Sequence, residues 1–296
     1  MRICVIANPN SGTADGDALE QAVKRLGDVT VRTTEQPGDA KRFAEEAVAS
    51  GFDMVIAAGG DGTLNEVVNG LAADFSRSIL GLIPLGTGND FARTLEIPND
   101  IDAAVDTIAA GMIHDVDIVR VTSDKARYFI NVSSGGFSGL VDEKLTDEMK
   151  QNWGPLAYLR SAAEALPDLS EYHMSIVFDD AETLNITTFS IIVANARFVA
   201  GGIPIAPKAI IDDGLVDVLL IPAASMSELA LLVPQILLGM HQDSELVTVR
   251  RVRKIKIDSH PGMWFNTDGE LVGNEPATFE VLPRALRVIV HAQPAE

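Results

Sequence analysis

Apolar and polar positions along the chain follow two different rhythms, and the change of rhythm divides it. From residue 1 to about 112, short apolar runs alternate with stretches whose apolar residues recur three and four apart. The runs Arg2–Ala7, Val29–Thr33, Asp53–Ala58 and Ser78–Ile83 read as strands. The stretches Asp17–Leu26, Asp39–Ser50, Leu64–Ala73, Asp90–Leu95 and Ile101–Ala110 read as helices. Such alternation predicts a parallel sheet covered by helices on both faces. Ligands of these sheets sit beyond the carboxyl ends of the strands.

After Gly111 strands dominate. His114–Val121, Tyr128–Val132, Tyr172–Phe178, Thr187–Ala194, Leu215–Ile221, Val252–Ile257, Thr278–Leu282 and Leu286–Val290 carry the signal. Helical insertions fall at Gly139–Met149, Leu156–Leu166 and Ser227–Met240. This predicts a mostly antiparallel β domain, a sandwich or flattened barrel. The expected boundary lies between residues 111 and 122, giving an α/β domain over 1–118 and a second domain over 119–285. A last strand, 286–296, is free to return to the first domain.

Composition narrows the function classes. A chain of 296 residues that is 47% hydrophobic is a globular protein with room for two cores. Its net charge of −19 argues against a general nucleic-acid binder, whose phosphate contacts need a basic surface. Cys4 is the single cysteine, so no internal disulfide forms and a reducing compartment is expected. The N-terminus runs straight into Ile3–Ala7 with no leader pattern, and the apolar stretch Leu229–Met240 is short and interrupted by Pro234. A cytosolic protein is expected, with at most peripheral membrane contact.

Two glycine-punctuated turns hold the chemistry, GGDGT at Gly59–Thr63 and PLGTGND at Pro84–Asp90. Each follows a strand and opens a helix, where unpaired N–H groups and the dipole favour an anion. Each carries a carboxylate, Asp61 and Asp90, and neither carries a lysine. A polyphosphate beside two carboxylates calls for a divalent ion, so the turns point to a metal–nucleotide site. The first loop, Asn8-Pro9-Asn10-Ser11-Gly12, leaves its strand at the same sheet edge. The plainer reading of that loop is a turn rich in Asn, Pro and Gly. Thr63 and Glu66 also have capping-box spacing, and Asn89 or Asp90 is placed to cap the following helix. No GxxxxGK[ST] sequence is present, and no G-x-G-x-x-G follows the first strand.

GGDGT, PLGTGNDFAR, GGIPIAPKAIIDDGLVDV at Gly201–Val218 and TDGE at Thr267–Glu270 occur in that order. Together they resemble the soluble bacterial diacylglycerol kinase and lipid kinase family, related to sphingosine kinases. GGDGT alone is shared with NAD kinases and phosphofructokinases; the combination is more specific. The resemblance spans nearly the whole chain, with a departure at Ala200-Gly201-Gly202, where the family often has three glycines.

The resemblance implies ATP-dependent phosphorylation of a lipid hydroxyl, on a phosphofructokinase-like α/β domain joined to a β-sandwich domain. It implies nucleotide contacts at Asn8, Pro9, Asn10, Ser11, Gly12, Thr34, Gly60, Asp61, Gly62, Thr63, Leu64, Asn65, Glu66 and Thr87. Asp61, Asp90 and Asp117 correspond to an acidic set around catalytic magnesium. A structural magnesium maps to the carbonyls of Ile210 and Leu215 and the carboxylate of Asp213. Glu270 corresponds to the general base.

Chemistry agrees for Glu270, since a carboxylate in reach of an acceptor hydroxyl can take its proton. The plainer alternatives are a solvated Asp-Gly-Glu turn for Glu270 and a solvated strand face for Asp117. Arg93 faces phosphate or solvent, and His260 is a second-layer candidate. The run Arg250-Arg251-Val252-Arg253-Lys254-Ile255-Lys256 reads as a solvated strand face or a patch for anionic headgroups. Leu229–Met240 reads as core or as part of a lipid-accepting groove. Expected partners are ATP, a lipid at the inner membrane surface and, for assembly, a second copy as a homodimer. NAD kinase and a non-catalytic nucleotide- or lipid-binding regulator are the rival readings.

Overall fold

A computed structural model describes residues 1–12, 15–136, 170–273 and 276–291. The helical insertions read at 139–149 and 156–166 lie outside the described residues. The chain divides into two compact units, Met1–Ile118 with the segment from Pro283 onward, and Val119–Leu282.

In the first unit, β1 (Ile3–Ala7), β2 (Val29–Thr33), β3 (Met54–Gly59) and β4 (Ile79–Pro84) run parallel in the order β4-β3-β1-β2. Every residue of β1 and β3 is buried, as strands covered on both faces require. Burial pushes the Cys4 thiol up to about 11, so it packs as a small apolar side chain with no thiolate for chemistry. The helices are α1 (Gly16–Val23), α2 (Asp39–Ala49), α3 (Asp61–Leu71), α4 (Asp90–Thr94) and α5 (Ile101–Ala110). A 3-10 turn, Lys24–Leu26, continues α1. The carboxyl ends of the parallel strands deliver Asn8, Thr34, Gly60 and Leu85 to one edge.

The division between units falls inside β5 (Ile113–Thr122) and β15 (Ala277–Ile289). The second unit adds β6 (Ala126–Phe129), β7 (Val132–Gly136), β8 (Tyr172–Phe178), β9 (Glu182–Ala194) and β10 (Val216–Pro222). It continues with α6 (Met226–Leu237), β11 (Thr248–Val252), β12 (Lys254–His260), β13 (Phe265–Thr267) and β14 (Glu270–Val272). Pairings among β7 to β13 are antiparallel, and β9 is long enough to pair with β8, β7 and β10 in turn.

Residues 188–194 of β9 and most of β10 are buried on both faces. Ile191, Val193, Val216, Val218 and Leu220 join one core with Phe129, Phe265 and Phe279. Their neighbours in sequence, Ile192, Ala194, Leu219 and Ile221, join the other with Leu229 and Leu232 of α6. That explains the uninterrupted apolar run, which a half-solvated sheet would not need. α6 is therefore partly core, while Leu231, Leu238 and Met240 in and after it are exposed.

Strand boundaries differ from the sequence reading at several places, and at three of them a carboxylate bonds backbone amides. Tyr128–Val132 divides into β6 and β7, because the amides of Ile130, Asn131 and Val132 donate to Asp268 and not to a neighbouring strand. Val252–Ile257 divides at Arg253, where Asp179 Oδ1 accepts from the amides of Arg253 and Lys254, each at 2.9 Å. The two final strands are instead one, β15, in which Arg284 adopts φ 49° and donates its amide to Asp117 at 2.7 Å.

Candidate active site

Three loops at the carboxyl edge of the parallel sheet are tied to one another. Asn8 Nδ2 donates to Thr63 Oγ1 at 3.2 Å, joining the first loop to the GGDGT turn. A Cβ on Gly12 would lie 3.2 Å from the Leu85 carbonyl and 3.4 Å from Thr87 Oγ1, so the first loop also rests on the second turn. The two glycine turns meet directly. A Cβ on Gly86 would lie 2.5 Å from Gly60 Cα, a distance no side chain can accept. Gly60 and Gly86 thus serve the packing of turn against turn. A Cβ on Gly62 would enter open space, and that is where this edge faces solvent.

Asp61 spans the two turns. Its Oδ1 accepts the Asp90 amide at 2.8 Å, supplying the start of α4 with an acceptor. Asn89, the residue preceding α4, makes no capping bond there; it is left-handed, and its side chain bonds the Gly86 amide and carbonyl. Burial pushes the Asp61 carboxyl above the usual carboxylate range, against the pull of the amides of Asp90, Phe91 and Asn89. Beside it lies a cavity of about 10 Å³ lined by Gly59, Gly60, Asp61, Leu64, Pro84 and Asn89, room for one water.

The expected nucleotide residues divide by exposure. Pro9, Asn10, Gly12, Gly62 and Thr87 are exposed and Ser11 half-buried on the rim, whereas Thr34, Thr63, Leu64 and Asn65 are buried. The Thr34 hydroxyl faces the Ala7 carbonyl at 3.4 Å. Asn65 receives the side-chain amide of Asn69 at 2.7 Å.

The capping box expected at Thr63 and Glu66 does not form. α3 begins at Asp61 behind Gly60 with no side-chain cap, so Thr63 already lies inside the helix. Glu66 reaches across to α2, where its carboxylate accepts the amides of Gly38 at 2.9 Å, Ala40 at 3.0 Å and Lys41 at 3.4 Å. It caps a helix that Gly38 cannot cap for itself. Glu66→Ala is expected to cost roughly 0.5–2 kcal/mol, read as a lower denaturation midpoint. An unchanged midpoint would remove this role.

Of the expected acidic set, Asp61 and Asp90 come together and Asp117 does not join them as a metal cluster. Among the described residues no three His, Cys, Asp or Glu side chains gather to hold an ion. Asp117 is fully buried, not on a solvated face, and its carboxylate receives the Arg284 amide.

The second metal set is engaged otherwise. Asp213 Oδ1 accepts the Leu215 amide at 3.0 Å, and Oδ2 pairs with Arg251. Arg251 Nε also lies 3.6 Å from Asp217, a buried acid whose carboxyl burial pushes up while Arg251 opposes the rise. A guanidinium thus occupies the carboxylate that the resemblance assigns to magnesium. Chelating divalent ions is expected to leave the thermal midpoint of the parent unchanged. Arg251→Gln is expected to lower it and to make it respond to added magnesium. A parent that loses stability on chelation contradicts this.

In the same basic run Lys254 and Lys256 each bond Asp180 at 2.7 Å. Those partners hold the Asp180 carboxyl down at about 2. His260 ends β12 opposite His173, exposed. No helix among the described residues is long and apolar enough to cross a membrane.

Glu270 opens β14 after the two-residue turn Asp268-Gly269, whose φ values of 45° and 91° give the twist a tight hairpin needs. Its side chain is 52% exposed, with Arg127 Nη1 4.0 Å away.

Residues 2–121 match the family described as diacylglycerol kinase catalytic domain. Residues 131–290 match the YegS C-terminal NAD kinase beta sandwich-like domain. A diacylglycerol kinase of Staphylococcus epidermidis is 35% identical over 97% of this chain and 91% of its own. One of Staphylococcus saprophyticus is 34% identical over 97% and 94%. A crystal structure from Bacillus anthracis str. Sterne, whose protein carries a provisional diacylglycerol kinase assignment, superposes with a TM-score of 0.84 at 26% identity, covering 98% and 95% of the two chains. An NAD kinase of Archaeoglobus fulgidus shares the fold more distantly, with a TM-score of 0.55 at 16% identity over 98% and 94%.

Proposed function

The chain belongs to the diacylglycerol kinase family and is a phosphotransferase with an alcohol acceptor, and we propose that it moves the γ-phosphoryl group of ATP onto the hydroxyl of diacylglycerol or a related lipid alcohol. The observation that carries the nucleotide assignment is the locked pair of glycine turns at the sheet's carboxyl edge, with Asp61 spanning them. Backbone donors at the start of α3 and the exposed loop 8–12 receive the phosphates. Gly62 leaves that approach open.

Asp61 would hold a magnesium ion through the ion's own waters, since amides at the start of α4 already bond its carboxylate. When bound there, the ion would neutralise charge on the phosphate oxygens. Asp90 stands beside Asp61 in this reading. Asp117 is assigned the Arg284 amide and no ion. We assign no ion to Ile210, Asp213 and Leu215, because Arg251 already neutralises that carboxylate.

Glu270 accepts the proton of the attacking hydroxyl, and the freed oxygen displaces ADP in line. Positioning and charge stabilisation then supply most of the rate. NAD kinase is the lesser reading, supported only by the distant fold likeness.

The experiment supplies labelled ATP with magnesium to vesicles carrying diacylglycerol, phosphatidylglycerol or a sphingoid base, and to NAD in a parallel reaction. Label is expected in a lipid. Label in NAD alone, or ATP binding without transfer to any acceptor, overturns the proposal.

A further inference from the structure

We propose that Asp268 is the positioning residue of this reaction, a carboxylate that holds the hairpin tip and thereby fixes Glu270; the inference rests on the reading of Glu270 as proton acceptor. Asp268 Oδ2 accepts the amides of Ile130 at 3.0 Å and Asn131 at 3.3 Å, and Oδ1 accepts that of Val132 at 2.9 Å. Three successive amides converging on one carboxylate form a backbone anion nest, here filled from within the protein. The link is reciprocal, since the Asp268 amide donates to the Val132 carbonyl at 3.1 Å.

The nest is itself anchored. The Asn131 carbonyl accepts the amides of Asn195 at 2.9 Å and Ala196 at 3.0 Å, tying it to the end of β9. On the hairpin side, β13 pairs with β7, and the hydroxyls of Thr267 and Ser133 bond at 2.9 Å. Gly269 donates its amide to Asn266 Oδ1 at 2.9 Å, closing the turn. Two charged side chains link this framework to the hairpin: Arg127, through the Leu271 carbonyl and its 4.0 Å approach to Glu270, and Asp268, which bonds the backbone amides next to the turn.

Its two oxygens face backbone amides, so Asp268 acts through Glu270 and not on reactants. Without it, three amides lose their acceptor together and the turn loses its tether. A base displaced by about 1 Å loses roughly 10²-fold in rate.

The test combines steady-state kinetics with hydrogen exchange on the full chain. Asp268→Ala is expected to lower kcat by roughly 10- to 100-fold with KM for ATP unchanged, and to speed exchange at the amides of 130–132. Glu270→Gln is expected to lose kcat with exchange at those amides unaltered. Asp268→Asn, which keeps one acceptor oxygen, is expected to fall between and serves if the alanine variant does not fold. Parent-like kcat in the Asp268 variants, or unaltered exchange at 130–132, overturns the proposal. A fall in KM-limited ATP use with kcat intact does so too. If Glu270→Gln stays active while exchange at 130–132 rises in Asp268→Ala, the Glu270 reading fails and the positioning role for this reaction falls with it, leaving only the tether.

Discussion

Asp61→Asn is expected to lower phosphoryl transfer by roughly 10³-fold while leaving the protein at least as stable as the parent near neutral pH. The two effects have one cause. Burial raises the Asp61 carboxyl above its unfolded value, so the folded state holds its proton to higher pH than the unfolded chain does. Stability is then lost as pH rises from the ordinary carboxylate range through the raised value, and at neutral pH the ionised group costs free energy. Asparagine keeps the acceptor for the Asp90 amide and has no charge to desolvate. The difference in denaturation midpoint between variant and parent should shrink as pH falls through the carboxylate range. A variant clearly less stable than the parent at neutral pH, with the gap closing in acid, would show that the amides outweigh burial.

The second large effect is expected at Glu270. Glu270→Gln should lower kcat by roughly 10²- to 10⁴-fold, leaving KM for ATP and the denaturation midpoint near those of the parent. Its side chain is half exposed, and the Arg127 contact at 4.0 Å is too open to matter for stability. Initial rates at saturating diacylglycerol check this. Turnover within a few-fold of the parent would take the proton-acceptor role from this residue.

The sequence made the plan of the first unit readable because three of its parallel strands, β1, β3 and β4, are unbroken apolar runs ended by Asn, Gly or Pro. β1 and β3 are buried on both faces, so their hydrophobic signal is strong and their ends are sharp. The switch to antiparallel strands after Gly111 was legible for the same reason. What period and propensity could not reveal was where side chains take over backbone bonds. Asp268 and Asp179 capture amides that a strand would otherwise use, and strands break there, whereas Asp117 takes the Arg284 amide within a strand that continues. Positive φ at Asp179, Asp180 and Arg284 accompanies these captures.

The same limit applied at the site. GGDGT lies at the carboxyl edge of the sheet, yet spacing alone suggested that Glu66 closes its own helix, whereas it caps α2. Glycine content suggested close approach to a ligand. At Gly60 and Gly86 it reflects the contact of one turn with the other, a pairing of residues 26 positions apart that no local pattern encodes. The engagement of Asp213 by Arg251 was equally hidden, since β10 and β11 bring them together only after folding.

The account turns on where the triphosphate sits. Hydrogen exchange on the parent, with and without magnesium and a non-hydrolysable ATP analogue, measures that most directly. Slowed exchange is predicted at residues 8–12, at Gly62 and Thr63, and at 86–88, with the far ends of the parallel strands unaffected. Protection that leaves these turns unchanged and appears at another part of the chain would contradict it.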